Sequence, residues 1–160
     1  MDPDKTKLLK AWEFLKNNRL ATIATISSES NNPQASFVYY VTDDNFHVYI
    51  VTSTESRKIR NIFKNNKVAL VIGQEVKPLV LQIEGEAKMV DDQDKKREIA
   101  NLYLEITNKS NPESINLPPI LKIPSDSGFM IVEITITWFK FSDFSNKESL
   151  IVKGTPQDWR

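Results

Sequence analysis

Phe46-His47-Val48-Tyr49-Ile50-Val51-Thr52-Ser53-Thr54-Glu55-Ser56-Arg57-Lys58-Ile59-Arg60-Asn61 is the stretch that decides how this chain folds. Its first six residues are β-branched and aromatic, the make-up of a strand. Ile59, Ile62 and Phe63 then recur at helical spacing, which predicts a helix from Glu55 to Asn65. Thr54 or Ser56 is placed to cap its first turn, where unpaired amides and the positive end of the dipole converge. Arg57 and Lys58 occupy that same turn, a position the dipole disfavours for cations. Two readings stand. They are solvated charges on a surface helix, or a bound anion removes the conflict, and hydroxyls with two cations at a helix start suit a doubly charged phosphate.

Outward from this segment, composition sets the frame. The chain has 160 residues, 40% of them apolar, enough for one domain with a full core. Twenty-one basic residues balance 21 acidic ones, so no global field draws in nucleic acid or an anionic membrane. Cysteine is absent, which removes disulfides, thiolate metal sites and Cys nucleophiles. Met1-Asp2-Pro3-Asp4-Lys5 is polar with no apolar run behind it, unlike a signal peptide, and no apolar segment approaches the roughly 18 residues of a spanning helix. A soluble cytoplasmic protein is expected.

Patterning supplies the remaining elements. Asp2-Pro3 opens a helix with a cap and an N1 proline; Leu8, Trp12 and Leu15 line its core face and Leu9 widens it. Leu20 to Ile26 reads as a strand, Ser27 to Pro33 as a polar turn, and Gln34 to Val41 as a second strand. Thr42 to Asn45 turns the chain into the third, Phe46 to Thr52, an antiparallel meander. Val68 to Ile72 and Leu79 to Val90 are two more strands, and Asp91 or Asp92 caps a helix whose core face is Ile99, Leu102, Tyr103 and Ile106. Asn108 to Ser127, with Pro112, Pro118, Pro119 and Pro124, is a long irregular stretch that reads equally as a substrate lid or a crossover. In Phe129 to Phe141, Met130, Val132, Ile134, Ile136 and Trp138 share one face, and Phe139 and Phe141 lie on the other. That strand would span roughly 43 Å if straight, so it bends around a barrel or is shared with a second subunit. Six strands and three helices in this order point to a closed or split antiparallel barrel, mainly β with flanking helices.

The run Leu20-Ala21-Thr22-Ile23-Ala24-Thr25, the turn ending in Pro33, the strand pair and then Ser56-Arg57-Lys58 resemble the pyridoxamine 5′-phosphate oxidase-like flavin-binding split-barrel family. Asn65-Asn66-Lys67-Val68-Ala69-Leu70 and Gly85-Glu86-Ala87 fit the same pattern, and the resemblance is most specific from Val51 to Leu70. It implies one flavin-binding domain over residues 1–160, a six-stranded antiparallel split barrel, acting as a homodimer with FMN at the subunit interface. Carried over, the phosphate ligands are Thr52, Ser56, Arg57 and Lys58, and Val51 and Ser53 join them among the cofactor-binding positions. Thr52 and Ser53 equally read as residues that end the strand and satisfy the loop. Ser36, Phe37, Val38, Tyr39 and Tyr40 would flank the isoalloxazine ring, and Gln82 and Trp138 would reach it from the other subunit.

The departures bear on function. The oxidase has Arg and Lys where this chain has Ser36 and Val41, and its Arg-Leu-x-Pro ending is missing from Thr155-Pro156-Gln157-Asp158-Trp159-Arg160. The resemblance therefore implies an FMN-dependent oxidoreductase acting on an unidentified small molecule rather than on pyridoxamine phosphate. A flavin or deazaflavin carrier or sensor, and a dimeric module with a decayed site, are the alternatives. His47, the single histidine, reads as exposed or interfacial rather than catalytic or haem-ligating. No cluster has metal-ligand spacing, and Asp91-Asp92-Gln93-Asp94 is better explained as a helix cap than as a calcium loop. Trp159, in a polar tail, is expected to dock on the partner subunit.

Overall fold

The computed structural model describes residues 3–74, 76–109, 128–145 and 150–159. Among these residues apolar and β-branched runs build seven strands, β1 (Leu20–Ile26), β2 (Pro33–Thr42), β3 (His47–Ser53), β4 (Lys67–Gln74), β5 (Leu79–Met89), β6 (Phe129–Asp143) and β7 (Leu150–Gly154). Three helices accompany them: α1 (Pro3–Asn17), α2 (Arg57–Lys64) and α3 (Gln93–Lys109). The strands run β3-β2-β1-β4-β5-β6, and β6 pairs back onto β3 to close a six-stranded antiparallel barrel. β7 adds to β6 through Phe139 to Asp143, beyond the segment that β3 occupies. The tail thus docks on its own chain, with its short 3₁₀ turn, Pro156–Trp159, against α1 and β6.

Inward-facing residues such as Ile23, Ile50, Leu70, Leu81, Ile83 and Ile134 fill the barrel, and α1 packs Ala11, Phe14 and Leu15 against them. Leu9, expected on that face, is 46% exposed, because Ala11 and Phe14 set the phase of the buried stripe. Tyr40 is also a core residue: its hydroxyl donates to the Leu15 carbonyl at 2.8 Å, so it points away from the surface where a ring-flanking role would need it. The cap at Asp2, the side chain of Ile106 and the proline-rich segment 110–127 lie outside the described residues, while α3 itself continues through Lys109. Asp92 caps α3 as expected, its Oδ1 accepting the Lys95 N–H at 2.7 Å.

β6 departs from its expected alternation. Glu84 pairs with Trp138 but Gly85 pairs with Ile136, so Thr137 is an extra residue and the side chains change face there. Phe139 and Phe141 join Ile134 and Ile136 in the core, and Trp138 turns outward, half-buried. Gly85 permits the bulge: a Cβ there would lie 2.7 Å from Ile134 Cγ2 and 2.8 Å from the Thr135 carbonyl oxygen.

α3 covers the outer face of β2, β3 and β6, where Val41, Tyr49, Val51 and Ile131 pack with Ile99 and Tyr103. At its rim the buried Asp43 carboxylate accepts the Tyr49 hydroxyl at 2.7 Å and the amides of Asn45 and His47, with His47 Nδ1 at 3.0 Å.

Candidate functional site

The end of β3 and the start of α2 converge as the sequence suggests. Thr52, fully buried, is bonded to the Ser56 hydroxyl at 3.3 Å and accepts the Lys58 ammonium at 3.1 Å. Ser56 occupies the N-cap position with extended backbone, yet its side chain makes no capping bond. The first turn of α2 carries no acidic residue. Among the described residues no carboxylate pairs with Arg57 or Lys58, and burial pushes the Lys58 ammonium below its usual range. A half-buried cation served only by a hydroxyl, beside an exposed Arg and an uncapped helix start, is a setting that an anion would stabilise. Phosphate chemistry therefore fits the residues present. Ser53 turns back on the loop instead, its hydroxyl accepting the Glu55 N–H at 3.2 Å and its carbonyl the Ser56 N–H.

α2 is tied to the neighbouring strands by Asn61. This buried side chain donates to Thr25 Oγ1 and Gln34 Oε1, both at 2.9 Å, and accepts the Ser28 N–H at 2.9 Å. Lys64 adds a bond to the Ser28 carbonyl at 2.7 Å. Asn61 therefore serves the packing of α2 and fixes the cationic turn relative to β2. Arg60 bonds the Glu55 carbonyl and stays at the surface.

β2 and β3 pair only from Tyr40 to Thr42, so the edge of β2 from Pro33 to Tyr39 that faces β3 has no strand partner among the described residues. Ser36 and Phe37 on this segment are exposed, Phe37 by 77%; Tyr39 is half-buried, and Val38 faces the core. Val51 is buried beneath α3. Gln82 and Trp138 stand elsewhere, on the outer face of β5 and β6. Register nevertheless links them to β2. Phe37, Thr22, Val71, Gln82 and Lys140 form one rung across the sheet, and Ala35, Ala24, Ala69, Glu84 and Trp138 the next. Within one copy the cationic turn and the free edge of β2 come together, while Gln82 and Trp138 share the open sheet face with Phe37. A groove of about 470 Å³ runs along this face, lined by Arg19, Leu20, Thr22, Phe37, Val71 and Gly73 among others. A larger cavity of about 790 Å³, between α1 and the β4–β5 turn, contains none of these residues.

The sequence pattern of the pyridoxamine 5′-phosphate oxidase family matches residues 10–143. The chain belongs to that family. Solved structures of low identity share the family's fold with it. A Clostridium acetobutylicum protein related to general stress protein 26 superposes with a TM-score of 0.69 at 16% identity, covering 98% of this chain and 99% of that one. A pyridoxamine 5′-phosphate oxidase-related, FMN-binding protein from Nostoc punctiforme gives 0.64 at 12% identity, covering 97% of each. A heme-binding protein from Mycobacterium smegmatis gives 0.70 at 14% identity, covering 99% of this chain and 61% of that one. No curated protein sequence matches this family member significantly. No described helix is long and apolar enough to cross a membrane.

One expectation is sharpened by the packing. Val41, where the oxidase has a lysine, is buried with Tyr49 and Ile99 under α3. In this family member the position is sealed from any surface ligand.

Proposed function

We propose that this chain is an FMN-binding oxidoreductase acting on a small molecule, with the cofactor held between two copies. The observation that carries the reading is the Thr52–Ser56–Lys58 cluster beside Arg57, cationic and without a carboxylate. Arg57, Lys58, Ser56 and Thr52 hold the phosphate, and the free edge of β2 at Ser36 to Tyr39 flanks the ring. Val51 and Ser53 support the end of the strand. FMN when bound supplies hydride and electron transfer, and the chain's part is to hold, orient and shield it.

The second copy is supported by the bare sheet face. Leu20, Phe37 and Val71 are exposed there beside Ala24, Ala35 and Ala69, an apolar surface of the kind that partners cover. Gln82 and Trp138 share it, so packing two copies face to face brings them against the partner's β2. FMN is favoured over haem because the anion cluster matches a phosphate, whereas His47, the only histidine, is engaged with the buried Asp43. One further reading, a dimeric module with a decayed cofactor site, is supported by Ser36 and Val41 standing where the oxidase has cations, Val41 being buried as well.

The test is the visible spectrum of the purified protein, followed by titration with FMN and reduction by nicotinamide cofactors. Binding with reduction supports the oxidoreductase, and binding without it supports the carrier. Arg57→Ala with Lys58→Ala is expected to weaken FMN by about 3 kcal/mol, roughly a hundredfold, with the fold intact by circular dichroism. Unchanged affinity in the double variant would remove the phosphate site.

A further inference from the structure

The end of α2 opposite its cationic first turn borders a cavity of about 310 Å³, set between the turn that leaves β1 and the turn that enters β4. Six of its seven lining residues are polar, and none is a carboxylate. Ser27, one of the six, is 5% exposed, and its hydroxyl accepts the Glu29 N–H at 3.3 Å and the Ser30 N–H at 3.2 Å. Its two lone pairs are thereby taken, while its own hydrogen has no acceptor among the described residues. A buried donor without an acceptor is costly, and a ligand oxygen in the cavity would satisfy it.

The groups around Ser27 are donors as well. Lys64 reaches the Ser28 carbonyl at 2.7 Å, and no carboxylate pairs with its ammonium among the described residues. Asn65 Oδ1 accepts the Lys67 N–H at 3.0 Å, which leaves its amide hydrogens to donate. The side chains of Asn31 and Asn66 make no hydrogen bond among the described residues. The Lys67 ammonium is paired with Glu86, whose carboxylate stands outside the lining. The C-terminal end of the α2 dipole brings roughly half a negative charge, against which Lys64 sets a full positive one. A lining so rich in donors calls for a ligand that only accepts. A carboxylate offers two oxygens, whereas a phosphate offers more and can meet donors that converge from the two turns and the helix end. We infer that this cavity is a second anion site, which takes a phosphate group independently of the cluster at Arg57 and Lys58. The two sites share no residue, so the inference does not rest on the FMN reading.

Inorganic phosphate titrated into the isotope-labelled protein should shift the NMR signals of the Ser27, Asn31, Asn65 and Asn66 amides to saturation. The same response is expected in the Arg57→Ala, Lys58→Ala double variant; its loss there would assign the shifts to the first turn of α2 and overturn the second site. Lys64→Gln should bind phosphate about tenfold more weakly at these amides, while its phosphate-free spectrum keeps the parent's signals from Ser28 to Asn32. Equal affinity in Lys64→Gln overturns the site, as does acetate binding as tightly as phosphate. Shifts that grow without saturating in the unaltered protein overturn it even if no variant folds. Nicotinamide dinucleotides with and without the ribose phosphate then separate the sources of the group. A response to inorganic phosphate and to neither dinucleotide marks a site for free phosphate. A tighter response to the phosphorylated dinucleotide than to inorganic phosphate marks the phosphate of a larger ligand, and either result supports the site.

Discussion

The barrel has two outer faces of similar make-up and opposite treatment. On β2, β3 and β6, Val41, Tyr49, Val51 and Ile131 are sealed under α3, and the polar groups at the rim are paired. On β1, β4 and the start of β2, Leu20, Phe37 and Val71 stand open to solvent. The contrast separates residues that serve the fold from residues that serve something outside it. An apolar side chain beneath α3 contributes to folding stability, whereas an apolar side chain on the open face contributes only when another molecule covers it.

Breaking the covered face should have the largest effect. Ile99→Ala, in the fully buried centre of α3, is expected to lower folding stability by about 2–5 kcal/mol, measured by denaturant unfolding. A loss under 1 kcal/mol would mean that α3 is not packed as described. The rim of that face should respond to acid. Burial alone would raise the Asp43 carboxyl, but bonds from the His47 ring, the Tyr49 hydroxyl and the His47 N–H outweigh it and hold it below the ordinary 3.8. The folded protein therefore binds this proton less readily than the unfolded chain. The stabilisation is complete above the unfolded value and is lost as pH falls through the folded one. Asp43→Asn should cost about 1–3 kcal/mol near neutrality and flatten the acid limb of a stability–pH curve. An unchanged limb would assign acid sensitivity to other carboxylates.

The open face should show the smallest effect on folding. Phe37→Asp is expected to change stability by less than about 0.5 kcal/mol in the isolated chain, as for an ordinary surface site. It should nevertheless convert a particle of twice 18.4 kDa into one of 18.4 kDa by light scattering. Equal masses for parent and variant would leave the open face without its second copy, and the sharp contrast between the two faces would need another explanation.

Much of this was legible in the sequence, and the failures share a cause. Strands β1, β2, β4 and β5 follow from alternation because one side of each faces the barrel core, whereas β3, buried on both faces, follows from its β-branched and aromatic make-up. The grouping of Thr52, Ser56 and Lys58 beside Arg57 was legible because these residues are close in sequence as well as in space. The face change in β6 was not, since it depends on how closely Gly85 lies against Ile134 and Thr135, a contact between distant strands. β7 was missed because Leu150-Ile151-Val152 is a short apolar run on an edge strand, paired on one side only. Tyr103 was read as a core residue of α3, and its ring is one. Its hydroxyl bonds the Tyr39 and Tyr49 carbonyls, contacts between distant elements that no local pattern encodes.

β6 is the strand that β3, β5 and β7 all pair with, and it lies late in the chain: Ser53 waits for Phe129, and Leu79 for Asp143. During synthesis β1 to β5 can assemble only as an open sheet, with the edges of β3 and β5 bare until β6 leaves the ribosome. That interval is when the chain is most prone to pair with a neighbour of its own kind. The order of assembly thus places the greatest aggregation hazard just before the last turn of the barrel, and anything that slows the arrival of β6 lengthens it.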